Sequence, residues 1–258
     1  MSFCAASLSF VSATLFEVEV PFWLVFSGTL CVYCLQRWYK FFVLHDITKQ
    51  HKEVWMVNHR MIYLIQIVLS GCVFLYLIIP SLFDFSPLTL FLIIGGLICV
   101  FYVVRIGKKN LRETPYLKLF LVASVYCLMT SIIPYPQIVN LDDLLNFLPF
   151  FGLLFLYVLG ITLMFDIRDV HIDKPETQTI PMIIGVKNSF YLSSCLSVLS
   201  LLGLLLYLNT PTFWSLVVLG IHFGVYFVSK RKKNNEFIVS FLFEGLLALT
   251  GWVVYLAK

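Results

Sequence analysis

Charge is what this chain has least of. Of its 258 residues, 12% are Asp, Glu, Lys or Arg, whereas 60% are hydrophobic and 25 are Phe. With a mean hydropathy of +0.93, that balance excludes an ordinary water-soluble domain, in which about 25% of residues are charged, and a disordered polar segment. Low-complexity linkers are missing too, so residues 1–258 read as one domain. No basic stretch precedes the first apolar run, Met1 to Phe16, and no cleavable signal peptide is expected there. Cysteine is not scarce, but metal-site spacing is. Cys31 and Cys34 stand as CxxC with no second ligand pair nearby, which favours two small apolar residues on a helix over a zinc site. His45, His51 and His59 likewise lack a clean helical ligand spacing.

What is present is apolar length. A membrane-crossing helix needs about 20 apolar residues. Nine segments approach this: roughly 3–16, 20–44, 60–80, 87–105, 116–134, 143–165, 188–208, 211–229 and 237–257. The expected fold is all-α, a polytopic membrane bundle of nine transmembrane helices. Eight is the alternative count if the short first segment is irregular or re-entrant. The connections around Pro80–Pro87, Pro134–Asp142 and Asn209–Pro211 are short and carry helix-stopping residues. Those at Leu44–His59 and Asp166–Lys187 are longer, and long loops gathered on one side tend to carry function.

Alternate connections contain no Lys or Arg. Glu17, Glu19, Asp84, Asp142 and Asp143 lie there, whereas Arg37, Lys40, Lys49, Lys52, Arg60, Arg105, Lys108, Lys109, Arg112, Lys118, Arg168, Lys174, Lys187 and Lys230–Lys233 all fall on the other side. Positive loops mark the cytoplasmic face. This predicts an integral membrane protein, such as one of a bacterial inner membrane, with its N-terminus cytoplasmic and its C-terminus outside. The net charge of +4 is then a topology signal. No nucleic-acid recognition motif accompanies it. Lys230–Lys233 reads as an orientation signal and lipid-headgroup patch, and Asn58-His59-Arg60 as a helix entry with interfacial anchors.

The densest chemistry follows the sixth segment, in Phe165-Asp166-Ile167-Arg168-Asp169-Val170-His171-Ile172-Asp173-Lys174. Asp166, Asp169 and Asp173 are spaced i, i+3, i+7. On a continuous helix, at about 100° per residue, they fall within about 60° of one face. Like charges so placed repel and are costly near a membrane. A divalent cation would use them, and Mg²⁺ prefers carboxylate and water oxygens completed by a substrate phosphate. Lys174 and Lys187 add positive charge suited to an anion that bridges metal and cations, such as a diphosphate. Arg168 either neutralises its neighbours or faces headgroups. The alternative for the whole stretch is a solvated, self-neutralising helix end. Glu244 is an intramembrane acid, either functional or protonated and bonded to a neighbouring helix.

Asp166-Ile-Arg-Asp169-Val-His-Ile-Asp173-Lys174, followed by Thr179-Ile-Pro181 and Gly185, resembles the second aspartate-rich motif of the UbiA family of intramembrane prenyltransferases. The resemblance extends to nine spans, the motif after the sixth, a cytoplasmic active face, Lys109-Asn-Leu-Arg112 before span five, and Phe243-Glu244-Gly245 in the last span. It implies a polyprenyl diphosphate in an apolar cavity, with Mg²⁺ bridging the diphosphate to two aspartate-rich motifs. It also implies ionisation of the allylic C–O bond and capture of the carbocation by an aromatic or lipid acceptor. Asp166, Asp169 and Asp173 would be the catalytic metal ligands; Arg168, Lys174, Arg37 and Gln36 would contact the diphosphate. Aromatic faces lining a dry pocket would stabilise the cation.

One absence bears directly on that activity. The family's first motif has carboxylates near the end of span two. The matching stretch here, Tyr33-Cys-Leu-Gln-Arg37-Trp-Tyr-Lys-Phe-Phe42, has none, and the nearest acids are Asp46 and Glu53. Either Arg37, with Gln36 and Lys40, replaces the metal by a fixed fork of donors, or Arg37 snorkels to the interface and the chain binds isoprenoid without turnover. The expected function is thus a UbiA-like membrane prenyltransferase. The alternatives are a non-catalytic isoprenoid-binding protein or a terpene cyclase on the same fold. A transporter is disfavoured by the lack of paired interrupted spans.

Overall fold

A long apolar segment has few side chains to offer its own backbone, and the helix is the form that satisfies that backbone internally. The computed structural model describes residues 2–43, 51–82, 87–104, 111, 114, 116–132, 141–171, 178–231 and 236–257, and among these there is no strand. The helices are α1 (Ser2–Phe16), α2 (Phe22–Trp38), α3 (His51–Asn58), α4 (Arg60–Leu82), α5 (Pro87–Val103), α6 (Leu117–Cys127), α7 (Leu141–Asp169), α8 (Ile180–Ile184), α9 (Val186–Tyr207), α10 (Thr212–Arg231) and α11 (Glu236–Leu256). Two of them end in π-helical turns: α2 continues through Tyr39–Val43, and α6 through Leu128–Ile132. Among the described residues, five helices are long and apolar enough to cross a membrane: Arg60–Ile79, Phe147–Asp169, Val186–Tyr207, Thr212–Lys230 and Val239–Leu256.

The shortest apolar segment occupies the centre. Every residue of α1 from Cys4 to Ala13 is buried. The reason lies in its composition, Ser-Phe-Cys-Ala-Ala-Ser-Leu-Ser-Phe-Val-Ser-Ala. It has no charged face to turn outward, and a helix apolar all round belongs in an interior. Its Ala, Ser and Cys also let neighbouring backbones come close. α1 packs against α11, α2 and the π-helical end of α6. A Cβ placed on Gly251 of α11 would lie 1.8 Å from the Ser7 carbonyl oxygen, so only glycine permits this approach. Ser12 Oγ donates to the Thr130 carbonyl at 2.7 Å and ties α1 to α6.

Around that centre, α7 packs most extensively on α9, and α2 on α4. The α7–α9 seam uses small residues again. A Cβ on Gly160 would meet the Ser197 nitrogen at 2.7 Å, and the Ser193 hydroxyl donates to the Gly160 carbonyl at 2.6 Å. α4 is the opposite of α1. Met61, Ile62, Ile65, Val68, Leu69, Leu75 and Tyr76 are all exposed on it. An apolar surface of that extent requires lipid or a partner rather than water. The α9–α10 connection closes tightly: Asn209 takes φ 50° and donates to the Leu206 carbonyl, a left-handed conformation that Asn tolerates better than most residues.

Gly251→Ala is expected to destabilise the bundle by at least about 1–3 kcal/mol, the cost of overpacking. Gly220→Ala, whose Cβ meets nothing within 4 Å, should leave stability unchanged or raise it, since Ala suits a helix interior better by about 1 kcal/mol. Thermal unfolding of the two variants in detergent checks this.

Candidate functional site

The acidic stretch lies at the C-terminal end of α7. That helix stops at Asp169 and a turn follows at Val170 and His171. Asp166 and Asp169 therefore share its last turn. Asp173 and Lys174 lie outside the described residues.

The two described carboxylates are each held by a cation. Asp166 is 4% exposed and accepts from Lys118 Nζ at 3.0 Å. Lys118 stands in the first turn of α6, so this pair joins two helices. Arg168 grips Asp169 with a two-pronged fork, Nε to Oδ1 at 2.6 Å and Nη2 to Oδ2 at 2.8 Å. Its remaining arm, Nη1, donates to Ser240 Oγ on α11, and its guanidinium lies 5.3 Å from the centre of the Phe165 ring. Planar bidentate pairing of this kind is the strong form of an ion pair. Of the two readings of Arg168, the geometry is that of neutralising its neighbour.

A narrow crevice opens beside Asp166. It is lined by Tyr116, Lys118, Leu119, Asp166, Thr179 and Ile180 and is too tight to hold a water molecule. Thr179 is 3% exposed, and its hydroxyl is buried with no hydrogen-bond partner. An orphaned buried hydroxyl costs about 1–3 kcal/mol and needs a reason. The backbone on both sides is also unusual. Tyr116 has φ 65° and Gln178 has φ 40°, left-handed values that side-chain-bearing residues adopt reluctantly and that gather at functional sites. Gly185, at φ 83° between α8 and α9, supplies the kink that returns the chain to the bundle, where glycine alone is unstrained.

The first-motif stretch is held elsewhere. Gln36 Nε2 donates to the Cys99 carbonyl on α5 at 3.5 Å. Arg37 lies 5.1 Å from the Tyr33 ring centre and within electrostatic reach of Cys34 and of Tyr63 on α4. Lys40 sits over the Phe41 ring in the π-helical turn, where Trp38 and Phe42 pack at 4.3 Å. These partners belong to α2, α4 and α5, whereas those of Asp166 and Asp169 belong to α6 and α7. Glu244 is half-buried and lies within electrostatic reach of Cys4 and Tyr126, deep between α1, α6 and α11. Lys230 lies over the Tyr191 ring at 5.6 Å, and Lys187 and His171 are exposed.

No protein-family model, curated protein or solved structure matches this chain.

The chemistry open to the site follows from its donors. Mg²⁺ takes hard oxygens, which Asp166 and Asp169 offer. Both oxygens of Asp169 are already bonded to Arg168, and Asp166 is bonded to Lys118. Among the described residues no three His, Cys, Asp or Glu side chains come together. The described residues therefore do not form a cradle for a divalent ion. They place a cation, Lys118, and the unpartnered Thr179 hydroxyl beside one tight crevice, which must widen before an anionic oxygen reaches either donor. Sequence reasoning counted Lys118 only as an orientation charge. The signal for more was its place inside an apolar run, between Leu117 and Leu119.

Lys118→Met is expected to strand a buried carboxylate and cost about 3–5 kcal/mol, whereas Lys118→Met with Asp166→Asn should regain most of that loss. Unfolding midpoints in detergent decide it. Equal losses in the single and double variants would mean that the pair is not what holds α6 to α7.

Proposed function

We propose that this chain is an integral membrane protein of nine spans, similar to the UbiA prenyltransferases, that takes a polyprenyl diphosphate with its diphosphate at the crevice between α6, α7 and α8. The observation that carries the reading is the buried Lys118–Asp166 pair opening on a crevice with an unpartnered Thr179 hydroxyl. An ion pair inside an otherwise apolar bundle is a functional hypothesis by default. The positive-inside pattern supports a cytoplasmic position for this end, with the N-terminus on the same side and the C-terminus outside. Lys118 and Arg168, with Lys174 from the following stretch, are the cations that a diphosphate would meet. The isoprenoid tail would lie along the apolar helices or in lipid.

The reaction proposed is prenyl transfer. The allylic C–O bond breaks with its electron pair leaving on the diphosphate. The resulting carbocation bonds to an aromatic or lipid acceptor, which then loses a proton. Cations at the leaving group stabilise the charge that develops there, and a water-poor pocket protects the carbocation. The Mg²⁺ site of Asp166, Asp169 and Asp173 remains part of what the family resemblance implies. A second reading is favoured by a specific observation: Asp166 and Asp169 are already neutralised by Lys118 and Arg168, and the first-motif stretch carries no carboxylate. In that reading the same crevice binds an isoprenoid diphosphate without turning it over.

One experiment separates these readings. A labelled polyprenyl diphosphate is added to the purified protein in detergent, with Mg²⁺ or with EDTA, and binding and pyrophosphate release are scored together. Binding with release supports the transferase. Binding without release supports the non-catalytic reading. No binding under either condition removes both. Asp169→Asn and Asp173→Asn are each expected to abolish the Mg²⁺-dependent part of the binding where carboxylates hold a metal; where the cations alone hold the diphosphate, Asp169→Asn, which releases Arg168, is expected to leave binding in EDTA equal or tighter.

A further inference from the structure

Away from the acidic end, a pair of thiols lies in the seam between α2 and α4. Cys31 and Cys34 are one turn apart on α2, at i and i+3, so both stand on the same face of that helix. Both are free thiols. Cys34 is buried and Cys31 half-buried. Both sulphurs face α4. Cys31 Sγ lies 3.9 Å from the Ile67 carbonyl oxygen, and a Cβ placed on Gly71 would come within 3.4 Å of it. Cys34 is hydrogen-bonded to the hydroxyl of Tyr63, itself buried. Ser70 stands in the same relation to Cys31.

Spacing decides what such a pair can do. Side chains at i and i+3 of a helix have Cβ atoms about 5–6 Å apart. A disulfide needs Cβ atoms about 3.5–4.5 Å apart, so closing one here would distort α2. An ion placed between the sulphurs spans more. With metal–sulphur bonds of about 2.3 Å, the length in zinc thiolates, two thiolates on opposite sides of one ion stand about 4.6 Å apart. The undistorted helix accommodates that separation by side-chain rotation alone.

The ligand count then selects the ion. Among the described residues no third His, Cys, Asp or Glu joins the pair, whereas a structural zinc takes four ligands. Two thiolates alone suit a soft monovalent ion, and copper(I) is the one that thiolates select. Charge agrees with this. Two thiolates and one copper(I) carry a net negative charge, which is costly in an apolar seam unless it is paired. Arg37, one turn further along α2, lies within electrostatic reach of Cys34.

We propose that Cys31 and Cys34 form a two-coordinate site for copper(I) in the α2–α4 seam. Both thiols lose their protons to solvent as the ion enters, and two sulphur–copper bonds form. Copper stays monovalent, so no electron moves. Tyr63 donates its hydroxyl proton to the Cys34 sulphur. Ser70 Oγ, which donates to the Gln66 carbonyl at 2.7 Å, turns to the Cys31 sulphur, and that carbonyl keeps its own helix N–H. Outer partners of this kind orient the ligands and carry about 10–100-fold in metal affinity. The site is separate from the acidic end, since all of its residues belong to α2 and α4.

The test is a competition for copper(I), in detergent, between the reduced whole chain and the coloured chelator bathocuproine disulfonate. The parent is expected to retain one copper(I) per chain, with two sulphurs around it by X-ray absorption. Cys31→Ser and Cys34→Ser should each lose the ion, because one thiolate does not hold it alone. Either variant decides if the other fails to fold. Tyr63→Phe and Arg37→Gln should weaken retention about tenfold. Cys72→Ser combined with Cys195→Ser, which removes the exposed thiols, should match the parent. A folded parent that yields all its copper to the chelator overturns the proposal. So does retention that survives the loss of both Cys31 and Cys34, or an ion with three or more sulphurs around it.

Discussion

Every polar group that these helices carry inward has to find its partner inside the bundle, and much of the structure is arranged around that constraint. An apolar interior offers no water to repair a missing hydrogen bond. The inward serines and threonines mostly answer it by bonding a carbonyl one turn back or on the next helix. Ser9 bonds Ala6, Ser131 bonds Cys127, Ser12 crosses to Thr130 and Ser193 crosses to Gly160. The crossing bonds require helices close enough to reach, so small residues and polar contacts occur together along the α1–α6 and α7–α9 seams. Ser7, Tyr126, Thr179, Ser189 and Ser229 are the exceptions among the described residues. Only Thr179 stands both at a crevice and beside a buried ion pair.

That combination makes the electrostatics of the acidic end more specific than a row of carboxylates. Two acids and two cations there sum to zero. A site in this state holds together without a ligand, because each charge has a partner. A diphosphate would have to share Lys118 and Arg168 with Asp166 and Asp169, and would do so only with further positive charge. An enzyme and a binder on this architecture differ in whether that compensation is enough to carry a leaving group, not in whether an anion can be attracted.

Much of the helical layout was legible because hydropathy and helix breakers act locally. The apolar runs at 60–80, 188–208, 211–229 and 237–257 correspond closely to α4, α9, α10 and α11, and the Asn209–Pro211 stop coincides with the left-handed turn. Which helix would be innermost was not legible from hydropathy. α4 is at least as apolar as α1 and lies outside. The difference is side-chain size, visible in the Ala, Ser and Cys of α1 but uninformative until a partner such as Gly251 is known. The acidic stretch was legible as a concentration of charge, but its geometry was not. α7 ends at Asp169, inside the acidic stretch. Lys118 meets Asp166 across 48 positions of sequence, and no spacing rule reaches that far. Arg168 had two readings of equal local merit, and the choice rests on the reach of its guanidinium to Asp169 and Ser240.

α7 connects these observations. It meets α9 through Gly160, α6 through Asp166, and α11 through both Tyr157 and Arg168. Its one internal proline, Pro149, stands at the end remote from the acids, so the acidic end keeps an uninterrupted helical ladder. The direction of that end is therefore set by side-chain bonds to its neighbours, two of them charged. Packed helices have discrete rather than continuous arrangements. Changing the occupancy of any one of these joints biases α7 as a rigid piece. A ligand that drew Lys118 from Asp166 would loosen α7 from α6 while the α11 joints still held it.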